Sequence, residues 1–268
     1  MMQGTHGGRG CAPRGQGGFR MAMALALGML AASVLSLHPV PSASAARPSG
    51  ASLSSFIAAR PASNDTLPAL TADKGKFRIL VSGQQVGSEE FEIAPSGDNW
   101  TAHGVTEIQS PKGNTRVSGT LSVHADGTPV NYEWSTQGAK KASATLAFSG
   151  MTASVELRLQ GARPFTQQFT FSTPLVVVLD DNLYHQYTLL ARLYDWERKG
   201  EQTFSVLVPQ EMTPGSVTVD SVGEQEVDGK KLQELQVKTE DNEIDLYLDG
   251  PKLMRLVAPA ANAEIIRE

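Results

Sequence analysis

The stretch VVVLDDNLYHQYTLLARLYDWERKG, residues 176–200, decides how the rest of the chain is read. Leu183, Tyr187, Leu190 and Tyr194 recur at spacings of four, three and four, and Tyr184, Ala191 and Leu193 broaden that stripe. This is the period of an amphipathic helix with a wide apolar face. Asp180 or Asp181 suits the N-cap and the positive end of the helix dipole. Arg198 and Lys199 suit the opposite end, and Gly200 is a natural stop. The segment 176–200 reads as one helix, and its stripe predicts burial over most of its width.

On both sides the period changes from helical to alternating. Phe77, Ile79 and Val81 alternate with Arg78 and Leu80, then Ser82-Gly83-Gln84 turns the chain into a partner strand from Val86 to Ile93. The pattern repeats from Trp100 to Ile108, through Val117, Gly119, Leu121 and Val123, and through Tyr132 and Trp134. It continues with Ala144, Leu146 and Phe148, with Val155, Leu157 and Leu159, and with Phe165, Phe169 and Phe171. Beyond the helix come Phe204, Val206 and Val208, then Val217 and Val219, Leu235 and Val237, Ile244, Leu246 and Leu248, and Met254 and Leu256. Turn signals such as Asp126-Gly127, Asp228-Gly229 and Asp249-Gly250 separate these runs. Short alternating runs of this kind describe an antiparallel sheet with one wet face. The expected fold is therefore mainly β: a strongly curved antiparallel sheet, a half-barrel or barrel, wrapped around one central α-helix.

The N-terminal stretch reads as targeting information. Arg9, Arg14 and Arg20 precede an apolar run from Met21 to Leu37, which ends in Pro39, Pro41 and Ala43-Ser44-Ala45-Ala46. That is the layout of a secretory signal with a small-residue cleavage site. The run is as long as a short membrane span, so a retained anchor is the alternative to cleavage after Ala45 or Ala46. The expected organisation is a signal peptide over residues 1–46, a disordered Ser-, Ala- and Pro-rich linker over 47–70, and one β-rich domain over 71–268. The expected location is secreted or periplasmic, in a bacterial envelope, with no stable membrane span after signal cleavage.

Composition excludes several chemistries. The sole cysteine, Cys11, lies inside the signal, so the mature chain has no disulfide, thiolate metal site or cysteine nucleophile. The chain carries 23 basic and 28 acidic residues; three of the basic ones and none of the acidic ones fall within residues 1–46, which leaves 20 against 28, a net charge of −8. That charge argues against a nucleic-acid partner and against docking on anionic lipid. There is no Gly-rich phosphate loop, HExxH or GxSxG motif, and no cofactor is expected.

The densest reactive cluster is Asp180, Asp181, His185 and Asp195. Asp181 and His185 are four apart and would share a helix face, where they could pair or hold a metal with a third ligand from elsewhere. The bland reading is a capping aspartate near a partly exposed histidine. His103 and His124 read as structural strand residues, and Glu89, Glu90 and Glu92 read as solvated charges that discourage edge pairing. No catalytic or metal-ligating residue is assigned. Trp134, Phe148, Phe169, Tyr184 and Tyr187 are the candidate ligand-binding residues, placed to line a space between helix and sheet.

Several phrases in order, FRILVSGQQVGSEEFEI, DGTPVNYEW, VVVLDDNLYHQYTLLARLYD, IDLYLDGPKLMRLVAP and EIIRE, cover about Lys74 to Glu268. Together they resemble the secreted bacterial DUF3108-like families of unknown function. The resemblance implies a curved antiparallel sheet on a helix, similar to the periplasmic lipoprotein-carrier fold, and it brings no catalytic residues. The functional expectation is non-catalytic binding of a lipidic or other apolar envelope molecule between helix and sheet. Two alternatives stand beside it: a structural or protein-interaction module with a filled core, and a hydrolase or metal site near Asp181 and His185.

Overall fold

The computed structural model describes residues 70–268 except 112, 139, 140, 211, 240 and 241. The expected signal peptide and all but the last residue of the expected linker lie outside the described residues. Fifteen strands and one α-helix follow in order. The first eight strands are β1 (Asp73–Val81), β2 (Gln84–Ser96), β3 (Asn99–Ser110), β4 (Gly113–Val123), β5 (Pro129–Gln137), β6 (Ala142–Ser149), β7 (Thr152–Leu159) and β8 (Phe165–Thr170). After β9 (Val176–Val178) and the helix α1 (His185–Leu193) come β10 (Gln202–Val208), β11 (Thr213–Val227), β12 (Lys230–Lys238), β13 (Glu243–Asp249), β14 (Lys252–Ala258) and β15 (Ala263–Arg267).

All fifteen strands form one sheet in the order β8-β7-β6-β5-β4-β3-β2-β1-β15-β14-β13-β12-β11-β10-β9. Two meanders, each built from hairpins between sequential strands, meet where β1 pairs with β15. Every pairing is antiparallel except that of β9 with β10. Alternation sets which face is buried: Phe77 and Ile79 in β1, Phe91 and Ile93 in β2, and Ile244, Leu246 and Leu248 in β13 all point into one continuous core.

Two parts of the expected architecture are corrected. The sheet is open, because β8 pairs with β7 alone and β9 with β10 alone. It is neither a closed barrel nor a sheet wrapped around a long helix. The helix itself is nine residues long, His185–Leu193, not the whole of 176–200. Val176–Val178 forms a strand instead of a first turn. Three β-branched residues favour the pleated state, and this strand is buried at every position. A continuous apolar run is the signature of a parallel strand covered on both faces, which a helical-period reading absorbs by mistake. A parallel neighbour requires a crossover connection, and α1 sits in the crossover from β9 to β10.

The helix also ends early. Tyr194 is extended, with φ −68° and ψ 125°. The buried Gln202 side chain takes both backbone groups of Asp195: its Oε1 accepts from the Asp195 N–H at 2.9 Å, and its Nε2 donates to the Asp195 carbonyl at 2.8 Å. The Asp195 carboxylate accepts from the N–H groups of Glu197 and Arg198 at 2.9 and 3.0 Å. These bonds make a turn where a longer helix was expected, and Gly200, with φ 66°, lies beyond it.

Eight of the nine residues of α1 are buried. The helix rests against β3 and β14, and so over the region where the two meanders join. Its approach depends on small residues in the sheet. Phe91, Gly104, Gly119 and Trp134 face one another across β2, β3, β4 and β5. A Cβ at Gly104 would collide with the His185 ring, and one at Gly119 would collide with Leu183 and lie 2.7 Å from the Tyr132 hydroxyl. Gly119→Ala should therefore cost about 1–3 kcal/mol by overpacking, although alanine in a strand is otherwise favoured over glycine. Urea unfolding measures this, and an unchanged midpoint would show that residues 179–185 do not press on β4.

Candidate functional site

Asp180 and the helix α1 carry half of the buried polar residues among those described: Asp180, His185, Gln186, Thr188 and Arg192. Glu89, on β2, is wholly buried. Its Oε1 accepts from His185 Nδ1 at 2.5 Å, and its Oε2 accepts from the Tyr184 backbone N–H at 2.9 Å. The second bond takes up an N–H at the start of α1, and the carboxylate sits at the positive end of the helix. A residue 95 positions away thus does the work expected of a local cap. Asp180 and Asp181 do not cap the helix: the N-cap position is Tyr184, and no side chain there bonds back to the first turn.

The His185 ring stacks on Phe91, with centroids 5.9 Å apart, and Phe91 stacks on Phe77 at 4.9 Å. His185 itself has no exposed surface. The hydrogen-bond partner of its Nδ1 is Glu89. Among the described residues no three His, Cys, Asp or Glu side chains gather in a metal-holding arrangement. His103 and His124 bond to Thr120 and Asn99, each at 2.9 Å, on the outer surface.

Asp180 is buried beside this pair. Its carboxylate accepts from the Tyr132 hydroxyl, and its own N–H donates to Gln186 Oε1 at 2.6 Å. Burial pushes the Asp180 carboxyl up to about 6, against the opposing effect of the Tyr132 hydrogen bond. Burial and the nearby Asp180 raise the Tyr132 phenol well above its ordinary value. Burial, with Glu89 close by, does the same for Tyr184. These groups are sealed from solvent, and within the network the Tyr184 hydroxyl and His185 Nε2 are buried without a hydrogen-bond partner.

A second ionic cluster lies at the other end of α1. Arg267, on β15, takes both oxygens of Asp73 on β1, at 3.1 and 2.6 Å. Arg192, on α1, donates to the carbonyls of Thr71 at 2.6 Å and Pro251 at 3.2 Å. It therefore ties the helix to both the start of β1 and the β13–β14 turn. Next to it an open groove of about 370 Å³ runs between Ala191, Arg192 and Trp196 on one side and Leu248, Gly250 and Pro251 on the other. Thr71 and Gln233 complete its rim.

The five sequence-derived binding residues lie apart from this groove. Trp134, Phe169, Tyr184 and Tyr187 are buried in the core, and Phe148 is partly buried against it. Between the middle of α1 and the sheet, a space lined by Leu121, Val123, Val177, Leu189 and Leu193 measures about 10 Å³, no more than one water-sized sphere. The groove residues escaped sequence reading because Thr71, Arg192, Gln233 and Pro251 belong to four distant segments. Glu89 was legible: it has the same parity as Phe91 and Ile93, so alternation puts it on the buried face.

The chain matches no protein-family model and no curated protein. No helix among the described residues is long and apolar enough to cross a membrane.

The raised Asp180 carboxyl makes a signed prediction. An acid that protonates at about 6 in the fold, against an ordinary 3.8, contributes its full stability below about pH 4 and loses it as pH rises through 6. Asp180→Asn has no such titration. Urea unfolding from about pH 4 to 7 should show the variant gaining on the wild type by up to about 3 kcal/mol. A difference that stays constant with pH would mean that Asp180 ionises normally in the fold.

Proposed function

We propose that this protein is a non-catalytic binder of an apolar envelope molecule, and that the molecule lies in the groove at the C-terminal end of α1. The observation that carries this reading is the groove's lining: Ala191, Trp196, Leu248 and Pro251 give apolar walls at about 370 Å³. Concave, mainly apolar sites with few polar groups, at the small end of the usual ligand-pocket range, hold small or single-chain ligands. The secretion signal read at residues 1–46 supports a ligand of the bacterial envelope. The resemblance to a family with a carrier-like fold points the same way by analogy only. This site lies at the end of the helix, apart from the aromatic set of the core.

A hydrolase or metal site near Asp181 and His185 receives less support. His185 is sealed, and its Nδ1 is engaged by Glu89, whereas a general base must come within hydrogen-bond reach of a reactant.

The groove reading is tested with an environment-sensitive apolar dye and by native mass spectrometry of protein purified from its own envelope. The wild type should bind dye in a 1:1 complex and carry an apolar molecule. Gln233→Trp, which fills the groove from its rim, should weaken dye binding by about tenfold. Equal binding by wild type and variant, or none by either, would refute the site.

A second reading, an interaction module, is favoured by one feature. The edge strand β8 contains no charged residue, proline or glycine to discourage pairing. Phe165 on β8 and Leu159 at the end of β7 are 52% and 50% exposed. Antiparallel pairing of two copies about Gln167 would set Phe165 of one against Phe169 of the other. Sedimentation velocity should then show concentration-dependent dimers that Phe165→Lys abolishes; a wild type that stays monomeric at high concentration removes this reading.

A further inference from the structure

The charges around Arg192 identify the end group of the ligand, an inference that rests on the groove reading above. Arg192 is 6% exposed and forms part of the groove wall. Its Nε and Nη1 donate to Pro251 and Thr71. Its Nη2 is buried without a hydrogen bond, and the nearest carboxylate oxygen, Asp73 Oδ2, is 3.6 Å away.

Asp73 is already engaged by Arg267 through both of its oxygens. Asp73 and Arg267 are the charged groups that act on Arg192, so one carboxylate serves two guanidiniums. The cluster keeps an excess of one positive charge, and Arg192 brings it to the wall of a mainly apolar groove. A buried charge without full compensation is costly. An anion brought to that wall would offset the excess in a medium where screening is weak. A guanidinium also matches the fork of a carboxylate or phosphate.

The groove volume, near the lower bound for ligand sites, suits one acyl chain better than two. We propose that the groove takes a single-chain anionic amphiphile, with its chain along Ala191, Trp196, Leu248 and Pro251 and its charged end at Arg192. The shared chemistry is an acyl chain ending in anionic oxygens. A fatty acid and a single-chain phosphate lipid are its two sources.

Isothermal titration of the mature protein with dodecanoate, dodecyl phosphate and dodecanol, each below its micelle concentration, tests the assignment. At least one anion should bind about tenfold or more tightly than the alcohol, and the tighter of the two names the source. Arg192→Gln should retain dodecanol binding and lose most of the preference for the anion. Equal affinity of the wild type for all three ligands would overturn the charge assignment and leave an apolar site standing. Binding of none would overturn the groove reading as well. If Arg192→Gln fails to fold, the comparison of anion with alcohol on the wild type decides alone.

Discussion

The fold depends on a close approach between residues 180–185 and the inner face of β2, β3 and β4. Gly104 and Gly119 leave the room, and Glu89 supplies the bonds. Where the glycines stand, a side chain would occupy the space of His185, Leu183 and the Tyr132 hydroxyl. Glu89 then holds the ring of His185 and the amide of Tyr184 together. Without that carboxylate, a buried imidazole N–H and a helix N-terminal N–H would both lose their partner, each at a cost of about 1–3 kcal/mol. The start of the helix is fixed by a distant strand, and this replaces the local capping that its own sequence suggests.

Once its start is fixed, the helix connects the sheet's two halves. It crosses from β3 in the first meander to β14 in the second, above the β1–β15 pairing that joins them. At its far end Arg192 reaches Thr71 and Pro251, and Arg267 clamps Asp73. The helix ends at Leu193, where Gln202 holds both backbone groups of Asp195, and the groove lies beside this end. Five residues, 171 to 175, carry the chain from β8 at one end of the strand order to β9 at the other, a reach of at most about 20 Å. The two terminal strands are therefore close in space without sharing hydrogen bonds, and β9 rests against β5.

Much of this was legible in sequence. Alternation located the strands and their buried faces, because one wet face forces period two over each run. Leu183, Tyr187, Leu190 and Tyr194 are all buried, although only Tyr187 and Leu190 lie on the helix itself. The failures have separate causes. Val176–Val178 read as helix because a short apolar run has no period of its own, and only its β-branching favoured a strand. Asp180 read as a cap because acidic residues before an apolar stripe usually are. Here a longer-range partner, Tyr132, took its carboxylate. Glu89 read as a solvated charge because its two exposed neighbours, Glu90 and Glu92, set the impression, although parity with Phe91 says otherwise. The aromatic residues read as a binding site are buried, Phe148 partly so, and composition cannot tell a packed interior from a hollow one. Sheet closure and the groove lay beyond reach, because they follow from contacts between segments far apart in the chain.

A double-mutant cycle on the approach itself gives the most direct measurement: Gly104→Ala and His185→Ala, singly and together, by urea unfolding. If the glycine exists to admit the His185 ring, Gly104→Ala is destabilising by about 1–3 kcal/mol in the wild type and costs much less once the ring is gone, when Glu89 Oε1, 2.8 Å from the added Cβ, is left free to shift. Additive effects, with the same cost for Gly104→Ala in both backgrounds, would contradict the account, because the ring would then not be what the glycine accommodates.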